Sequence, residues 1–521
     1  DPTWPPGKRA NFRIVHRLKD GIQNDVVSAI ADKLNKTDLI QNNDGLLSLD
    51  LPKDVTHPGA IKTLNEDLLP AMKEVGDKFG SGELILPFVL KSAECMKASV
   101  GELEKYLVKE EGTSKGTLVL GTVYGDVHDI GKNLVKTIFQ NNGYSVYDLG
   151  KQVPLQKFLE KIDEVKPDAI GLSALLVSTS KQMKFFVEHA RKNNMTVPIL
   201  CGGAAINSNY INRIAKEGGI YDPGVFYCNT MFEGLKTMDT LISDDKPKLL
   251  EEWKTKLENW KERTNTPVDP STLPRSNVQT VDPPTPKIIG EPIRLKLDQI
   301  NMGEVWTMID KKSLFKLSWG LRGKAGAESE EEHEQLLTEW KIRIIRDKLI
   351  EPEVVYGYFK CHNAGQKLLV ENPSGDDVEF DFPRSTKPEH LCLTDYFGTD
   401  DVVAFQSVTV GTKVSDVLET WNDEDKYTDA YYLHGLAVEL AEALAQWINQ
   451  KIKSELNLVK GALRYSWGFP SCPDVSQHHL VWKLLEPEKS GMTLTESGQI
   501  IPEQSTAAIV IHHPDAKYFV I

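Results

Sequence analysis

Between residue 116 and about residue 245, short apolar runs alternate with helical ones, and no other feature of the 521-residue chain restricts its fold as tightly. GTLVLGTVYG is a β-rich run, KNLVKTIFQNNG a helical pattern with a glycine stop, and YSVYDLG a second strand. PLQKFLEKIDEVK (helix), DAIGLSALLV (strand), TSKQMKFFVEHARKN (helix) and VPILCGG (strand) continue the series. Such alternation predicts a doubly wound, Rossmann-like or flavodoxin-like parallel sheet, whose ligands bind beyond the carboxyl ends of the strands. Three stretches fall at those ends: GDVHDIG, SALLVSTS and CGGAAINS.

The flanks read differently. In EDLLPAMKEVGDKFG the apolar residues Leu68, Leu69, Met72, Val75 and Phe79 form a helical stripe. Gly80 and Gly82 interrupt it, and LPFVLKSAECMKASVGELEKYL opens a further helix with Pro87 in its first turn. A small four-helix bundle is therefore expected over 1–112, ahead of the parallel-sheet domain at 113–247. Residues 248–290 are rich in charge and then in proline, and read as a linker, part helical and part extended. From 291 to 521 a mixed α+β unit is expected, its clearest helix being YYLHGLAVELAEALAQWINQKIKSEL. Multidomain organisation agrees with the length, which exceeds what one core supports.

Composition excludes some functions. A net charge of -14 argues against a protein that covers nucleic-acid phosphates. No apolar run reaches membrane-spanning length, and DPTWPPGKRANF lacks a signal-peptide core. Six scattered cysteines, without a CxxC pair, point to a reducing cytoplasmic setting and away from a structural zinc site. A start at Asp1 rather than Met suggests a piece of a longer protein.

The turn GDVHDIGKN leaves three readings of His128 open: catalytic base, metal ligand, or ordinary polar residue. In the plainest one Asp126 and Asp129 cap the next helix and His128 is structural. Against it stand the position of the turn at a ligand-binding edge, the small and hydroxylated residues of SALLVSTS, and Gly202 and Gly203, which let a ligand approach the backbone. A long polar slot fits better than a compact pocket. An acid two residues from a histidine also suits a metal site, the carboxylate fixing the tautomer of the ligating ring. One histidine cannot hold bare zinc, but it suffices where a macrocycle supplies the other ligands. A tetrapyrrole-type cofactor follows.

DVHDIG with the downstream GLSALL and GG resembles the cobalamin-binding domain of corrinoid methyltransferases. The resemblance implies that the cofactor's nucleotide tail leaves cobalt and enters the sheet. His128 then becomes the lower axial ligand, Asp126 its partner, and Thr179 the third member of the relay, where the family carries serine. It further implies contacts from Gly125, Val127, Asp129, Ile130 and Gly131 in the turn, and from Ser173, Leu175, Val177, Gly202, Gly203 and Thr230 along the slot. VGDKFGSGELILP resembles the cap over the upper cofactor face, with Phe79 and Leu86 against the methyl group; the alternative is that both are bundle core.

RYSWGFPSCPD, HHPDAKYFVI, MIDKKSLFKLSWGLRGK and LAEALAQW resemble the activation domain of cobalamin-dependent methionine synthases. By that resemblance the C-terminal unit binds S-adenosylmethionine. Arg464 would pair with its carboxylate, Ser466, Gly468 and Phe469 would supply backbone contacts and an aromatic wall, and Asp310 and Glu442 would meet the cationic or ribose end. Tyr518 and Phe519 match a Tyr-Tyr pair, and Phe469 also replaces a tyrosine, so hydrogen bonds are lost while aromatic packing persists. The implied activity is a cobalamin-dependent methyltransferase of methionine synthesis, carrying methylcobalamin from methyltetrahydrofolate to homocysteine and remethylating it with S-adenosylmethionine. A monomer served by a flavodoxin-like electron donor is expected. The homocysteine and folate modules, with their zinc site, have no counterpart in this sequence. Two other readings are a stand-alone corrinoid carrier with its own reactivation domain and a non-catalytic cobalamin sensor. The RYSWGFP region argues against the sensor.

Overall fold

The computed structural model describes residues 2–36, 39–108, 114–261, 269–321 and 330–521. The expected domain border at 112/113 and the RGK end of MIDKKSLFKLSWGLRGK lie outside the described residues. The chain divides into two compact units. One comprises Asp1–Glu262 with Trp319–Glu331 and Thr420–Tyr431; the other comprises Arg263–Ser318, Glu332–Glu419 and Tyr432–Ile521.

The first unit begins with the helical bundle. Its rods are Pro6–Val15, Ile22–Lys33, a long one from Lys53 to Gly80, and Leu86–Leu103, with a small hairpin pairing Ile40 with Ser48. The long rod changes to a π-turn at Leu64–Leu68 just where Pro70 follows. Proline lacks an N–H and crowds the preceding turn, and one wider turn absorbs both defects without ending the rod. Leu86–Leu103 carries Pro87 in its first turn, as expected. Ile14, Ile22, Val26, Ile30, Met72, Val75 and Met96 are fully buried, and their cluster continues into Leu120, Ile138, Phe139 and Met238 of the parallel-sheet region. Bundle and sheet therefore share one core.

Five parallel strands, Thr117–Thr122, Ser145–Asp148, Ala169–Ser173, Ile199–Gly202 and Val225–Tyr227, form the sheet in the spatial order second, first, third, fourth, fifth. The strands are buried because both faces are covered. Leu118 and Leu120 face the bundle cluster, while Val119, Ile170 and Leu172 face Phe158, Met183, Phe186 and Val187. The strand order reverses between Thr117–Thr122 and Ala169–Ser173, which opens a crevice at their carboxyl ends.

The stretch expected as a linker is mostly tied down. Helix Lys246–Asn259 packs on the parallel-sheet region, with Leu257 buried and Trp253 Nε1 donating to the Val225 carbonyl at 3.0 Å. In the other unit Pro270, Ser276 and Gln279 are held by Gln366, Asp395 and His513 respectively. Residues 262–268 lie outside the description. Proline and charge suggested a tether because neither feature shows in sequence whether a surface waits to receive the segment.

The second unit is built on an antiparallel sheet ordered Val378–Asp381, Lys367–Val370, Glu353–Ala364, Asp401–Thr409, Ser505–Ile511, Leu463–Ser466, with Ile293–Leu295 also pairing to Glu353–Ala364. The expected long helix runs from Tyr427 to Glu455 and buries Leu433, Leu436, Leu440 and Leu444. Glu455, near its end, accepts from Tyr356 and Tyr358 of the sheet at 3.0 and 2.7 Å.

Candidate functional site

The crevice holds the His128 turn. Gly125 takes the left-handed conformation (φ 78°) that folds the chain back after the first strand, and the Asp126 N–H closes on the Val123 carbonyl at 3.1 Å. The Asp126 side chain is wholly buried. Its Oδ1 meets His128 Nδ1 at 2.8 Å and accepts the His128 backbone N–H at 3.1 Å. Its Oδ2 accepts from Thr179 Oγ1 at 2.6 Å and from the Leu175 N–H at 2.8 Å. Burial pushes the Asp126 carboxyl up, but the bonds from His128, Thr179 and Leu175 outweigh it and hold the group below the ordinary aspartate value. An ionised Asp126 can only accept, so Nδ1 is the protonated ring nitrogen facing it.

The structure thus brings together the three residues read as a relay. It overturns the capping part of the plainest reading of the turn: Asp129 stands at the N-cap of helix Ile130–Asn141 without a side-chain capping bond, and Asp126 turns to the imidazole instead. Thr179 lies in the first turn of helix Val177–Lys192. Gly203 sits at φ 132°, and a Cβ there would stand 1.9 Å from the Ala174 carbonyl oxygen. The two loops are therefore in backbone contact, and only glycine fits. Gly131, by contrast, has open space where a Cβ would be, and Val177 is 72% exposed beside a half-buried Ser173 and an exposed Leu175. Val127 is buried, while Ile130 is half-buried. A Cβ on Gly202 would make ordinary contact with the Cys228 carbonyl. Thr230 caps helix Met231–Leu241 by accepting from the Glu233 N–H at 3.1 Å.

Phe79 packs on Phe232, ring centroids 5.3 Å apart, and Leu86 joins Ile130 and Met231 against a small cluster around Leu90 and Leu134. Both residues meet the parallel-sheet region rather than lying inside the bundle alone. Sequence reading missed Lys132, 1% exposed, whose Nζ binds Asp148 at 2.6 Å. Asp148 also receives the Gly150 N–H at 2.9 Å, and Gln152 in the same loop donates to the Asp126 carbonyl at 3.1 Å. The signal was present as a lysine in IGKN and an aspartate in YDLG, each at the same sheet edge.

The second group of expected residues lies in the antiparallel unit. Arg464, on the edge strand, makes an ion pair with Glu442 of the long helix. The expectation gave these two residues to opposite ends of a ligand; the structure gives them first to each other. Asp310 caps the turn that follows it, accepting from the Lys312 and Ser313 N–H groups at 3.0 and 3.2 Å and from Ser313 Oγ at 2.9 Å. The Ser313 backbone and hydroxyl bonds lead in holding its carboxyl below the ordinary value. Ser466 is buried and Gly468 adopts φ 94° in a tight turn closed by Cys472 N–H on the Phe469 carbonyl at 2.9 Å. Phe469 and Tyr518 are 59% and 66% exposed, and Phe519 is half-buried. Glu439, which sequence reading passed over as one acid in an amphipathic helix, accepts from Ser318 Oγ at 2.8 Å. Among the described residues no group of three or more His, Cys, Asp or Glu side chains could hold a metal ion, and no helix is long and apolar enough to cross a membrane.

Three protein families match the chain in order. A B12 binding domain matches residues 13–104, a second B12 binding domain residues 116–236, and the activation domain of vitamin B12 dependent methionine synthase residues 301–521. Methionine synthases of Mycobacterium tuberculosis and Mycobacterium leprae are each 34% identical over 91% of this chain. The chain spans less than half of those proteins, 44% and 45% respectively. Among solved structures, the MetH reactivation domain bound to AdoHcy is similar over 46% of this chain and 83% of its own, at 20% identity and a TM-score of 0.40.

Proposed function

We infer that the chain carries the modules of the cobalamin-dependent methionine synthase family, and from that premise we propose that it holds cobalamin over the His128 turn and binds S-adenosylmethionine at Arg464 to restore the cofactor's methyl group. The buried Asp126–His128–Thr179 relay at the strand-order reversal carries this reading. The residues fit a cofactor with a long tail. Space is open at Gly131, Gly202 leaves its backbone uncrowded, and apolar Leu175 and Val177 are exposed where the third strand leads into helix Val177–Lys192. When bound, cobalamin supplies the cobalt centre that accepts and donates the methyl group.

The chain's own residues govern protonation and access. Asp126 keeps the His128 proton on Nδ1, which would leave Nε2 as the nitrogen to hold cobalt when cobalamin is bound. Thr179 and the Leu175 N–H hold the carboxylate in place, so loss of a metal bond at His128 would be coupled to proton uptake there. Phe79 and Leu86, on the bundle rods that meet Phe232 and Ile130, are the residues we assign to covering the methyl face. In the other unit Arg464 has five N–H donors, of which Glu442 engages Nη2, so a ligand carboxylate can share the same guanidinium. The aromatic side chains of Phe469 and Tyr518 are exposed, Tyr518 with its ring beside that of Tyr465, and each offers a face to an adenosine.

On this reading the full protein transfers methyl from methyltetrahydrofolate to homocysteine. Its substrate modules, any zinc they hold and a flavodoxin-like electron donor lie beyond this chain, in the cytoplasm. The test is the absorbance spectrum of the chain loaded with methylcobalamin. His128→Gly should retain the cofactor through its tail and shift the spectrum; an unchanged spectrum removes His128 from the ligand role.

A further inference from the structure

Glu439 stands three residues before Glu442 on the helix Tyr427–Glu455, which puts both carboxylates on one helix face. Ser318 holds its Oε1, and its Oε2 has no hydrogen-bond donor among the described residues. Nor does any lysine or arginine pair with it among those residues. The Arg464 guanidinium goes to Glu442, and the oxygens of Asp310 are spent on their own turn. Burial pushes the Glu439 carboxyl above its ordinary value, and the negative charges of Asp310 and Glu442 add to that against the single Ser318 hydroxyl. Of Asp310, Glu439 and Glu442, only Glu442 has a guanidinium among the described residues, and the negative charges of Asp310 and Glu442 both act on Glu439, which leaves an excess of negative charge at the place assigned to S-adenosylmethionine.

Resting on that assignment, we propose that Glu439 is the counter-ion to the positive centre of the ligand, and that it sets the preference for the sulfonium over the neutral thioether S-adenosylhomocysteine. The two molecules differ at sulfur by one methyl and one positive charge. Shape alone separates them weakly, since a single methyl group in a pocket gives modest discrimination. A carboxylate with a raised pKa gains by meeting a cation and gains nothing from a thioether. Of the three carboxylates, Glu439 is the one whose charge the protein itself has not already matched with a cation or a turn of amides.

The experiment is calorimetric titration of the full chain with three ligands: S-adenosylmethionine, its analogue in which an aminomethine replaces the methylsulfonium, and S-adenosylhomocysteine. Glu439→Gln should weaken both cationic ligands by about tenfold, the effect expected of one screened charge, and change S-adenosylhomocysteine by less than about twofold. Glu439→Asp, which keeps the charge, should hold the ratio of the two affinities near that of the parent chain. A ratio that is unchanged in Glu439→Gln, or that falls as far in Glu439→Asp, overturns the proposal. If the parent chain binds none of the three, the assignment of the site at Arg464 fails and this inference fails with it.

Discussion

Asp126 and Glu439 are each held by a hydroxyl, Thr179 for one and Ser318 for the other, yet the protein moves their acidities in opposite directions. Depth does not explain it, since Asp126 is wholly buried and Glu439 only partly. The supply of donors does. The His128 ring comes first and the Thr179 hydroxyl second, and loops leaving the ends of parallel strands also have backbone N–H groups to spare, of which that of Leu175 turns toward Asp126. A residue in mid-helix has no such supply, because the surrounding N–H groups already serve the helix, and Glu439 must make do with one side chain and two like charges. In one region the carboxylate is matched by the protein's own donors; in the other it is left short of them.

The sharpest way to break this contrast is through the glycines of the region around Asp126. Gly203→Ala would drive a Cβ onto the Ala174 carbonyl at 1.9 Å, from a backbone conformation that side chains rarely adopt. A loss of more than about 3 kcal/mol in urea denaturation is expected. Gly131→Ala meets open space inside a helix, so stability should hold or rise by about 0.5–1 kcal/mol while cobalamin uptake falls. If Gly203→Ala costs less than about 1 kcal/mol, the loops are adaptable and the region is not preorganised.

Arg464 tests the other half. Its partner Glu442 is 38% exposed, so solvent already screens the pair and Arg464→Ala should change stability by less than about 1 kcal/mol. Binding of S-adenosylmethionine should weaken by roughly 10- to 100-fold, or about 1.4–2.8 kcal/mol, with methylcobalamin uptake unchanged. A stability loss larger than the binding loss would make the ion pair structural and erase the difference between the regions.

What could be read from sequence follows the same division. The parallel sheet and its edge were legible because strand ends are marked by small residues and glycine, which also singled out the Asp126–His128 turn; Thr179 as their third member came from the resemblance to corrinoid methyltransferases. The strand order, the Lys132–Asp148 pair and the backbone contact at Gly203 were not, since each depends on which strand lies beside which. In the antiparallel unit the long helix was plain from its leucines. That Arg464 would find Glu442 depends on how helix and sheet cross, and that Glu439 would reach Ser318 on where the turn Leu314–Ser318 meets that helix; a run of acids on a helix gives no hint of either.

The smallest effect is also the most direct test of donor supply, because the two carboxylates should respond to pH with opposite sign. Asp126 has a folded-state pKa below the unfolded value of about 3.9, so its contribution is present above that value and is lost as pH falls through the folded pKa. Asp126→Asn should therefore be less stable than the parent at pH 7, with the gap narrowing as the solution is taken well below pH 4. Glu439 has a folded-state pKa above the unfolded value of about 4.3, so its ionised form opposes folding at neutral pH and the penalty is relieved as pH falls through the raised pKa. Glu439→Gln should be the more stable protein at pH 7, by less than about 1 kcal/mol, and should lose that advantage in mild acid. Urea midpoints of both variants and the parent at pH 7, at pH 4 for Glu439 and at about pH 2 for Asp126 decide the matter. Should both substitutions shift the midpoint in the same direction at pH 7, the hydrogen bonds around Asp126 do not outweigh its burial, and depth rather than donor supply sets the acidity of these sites.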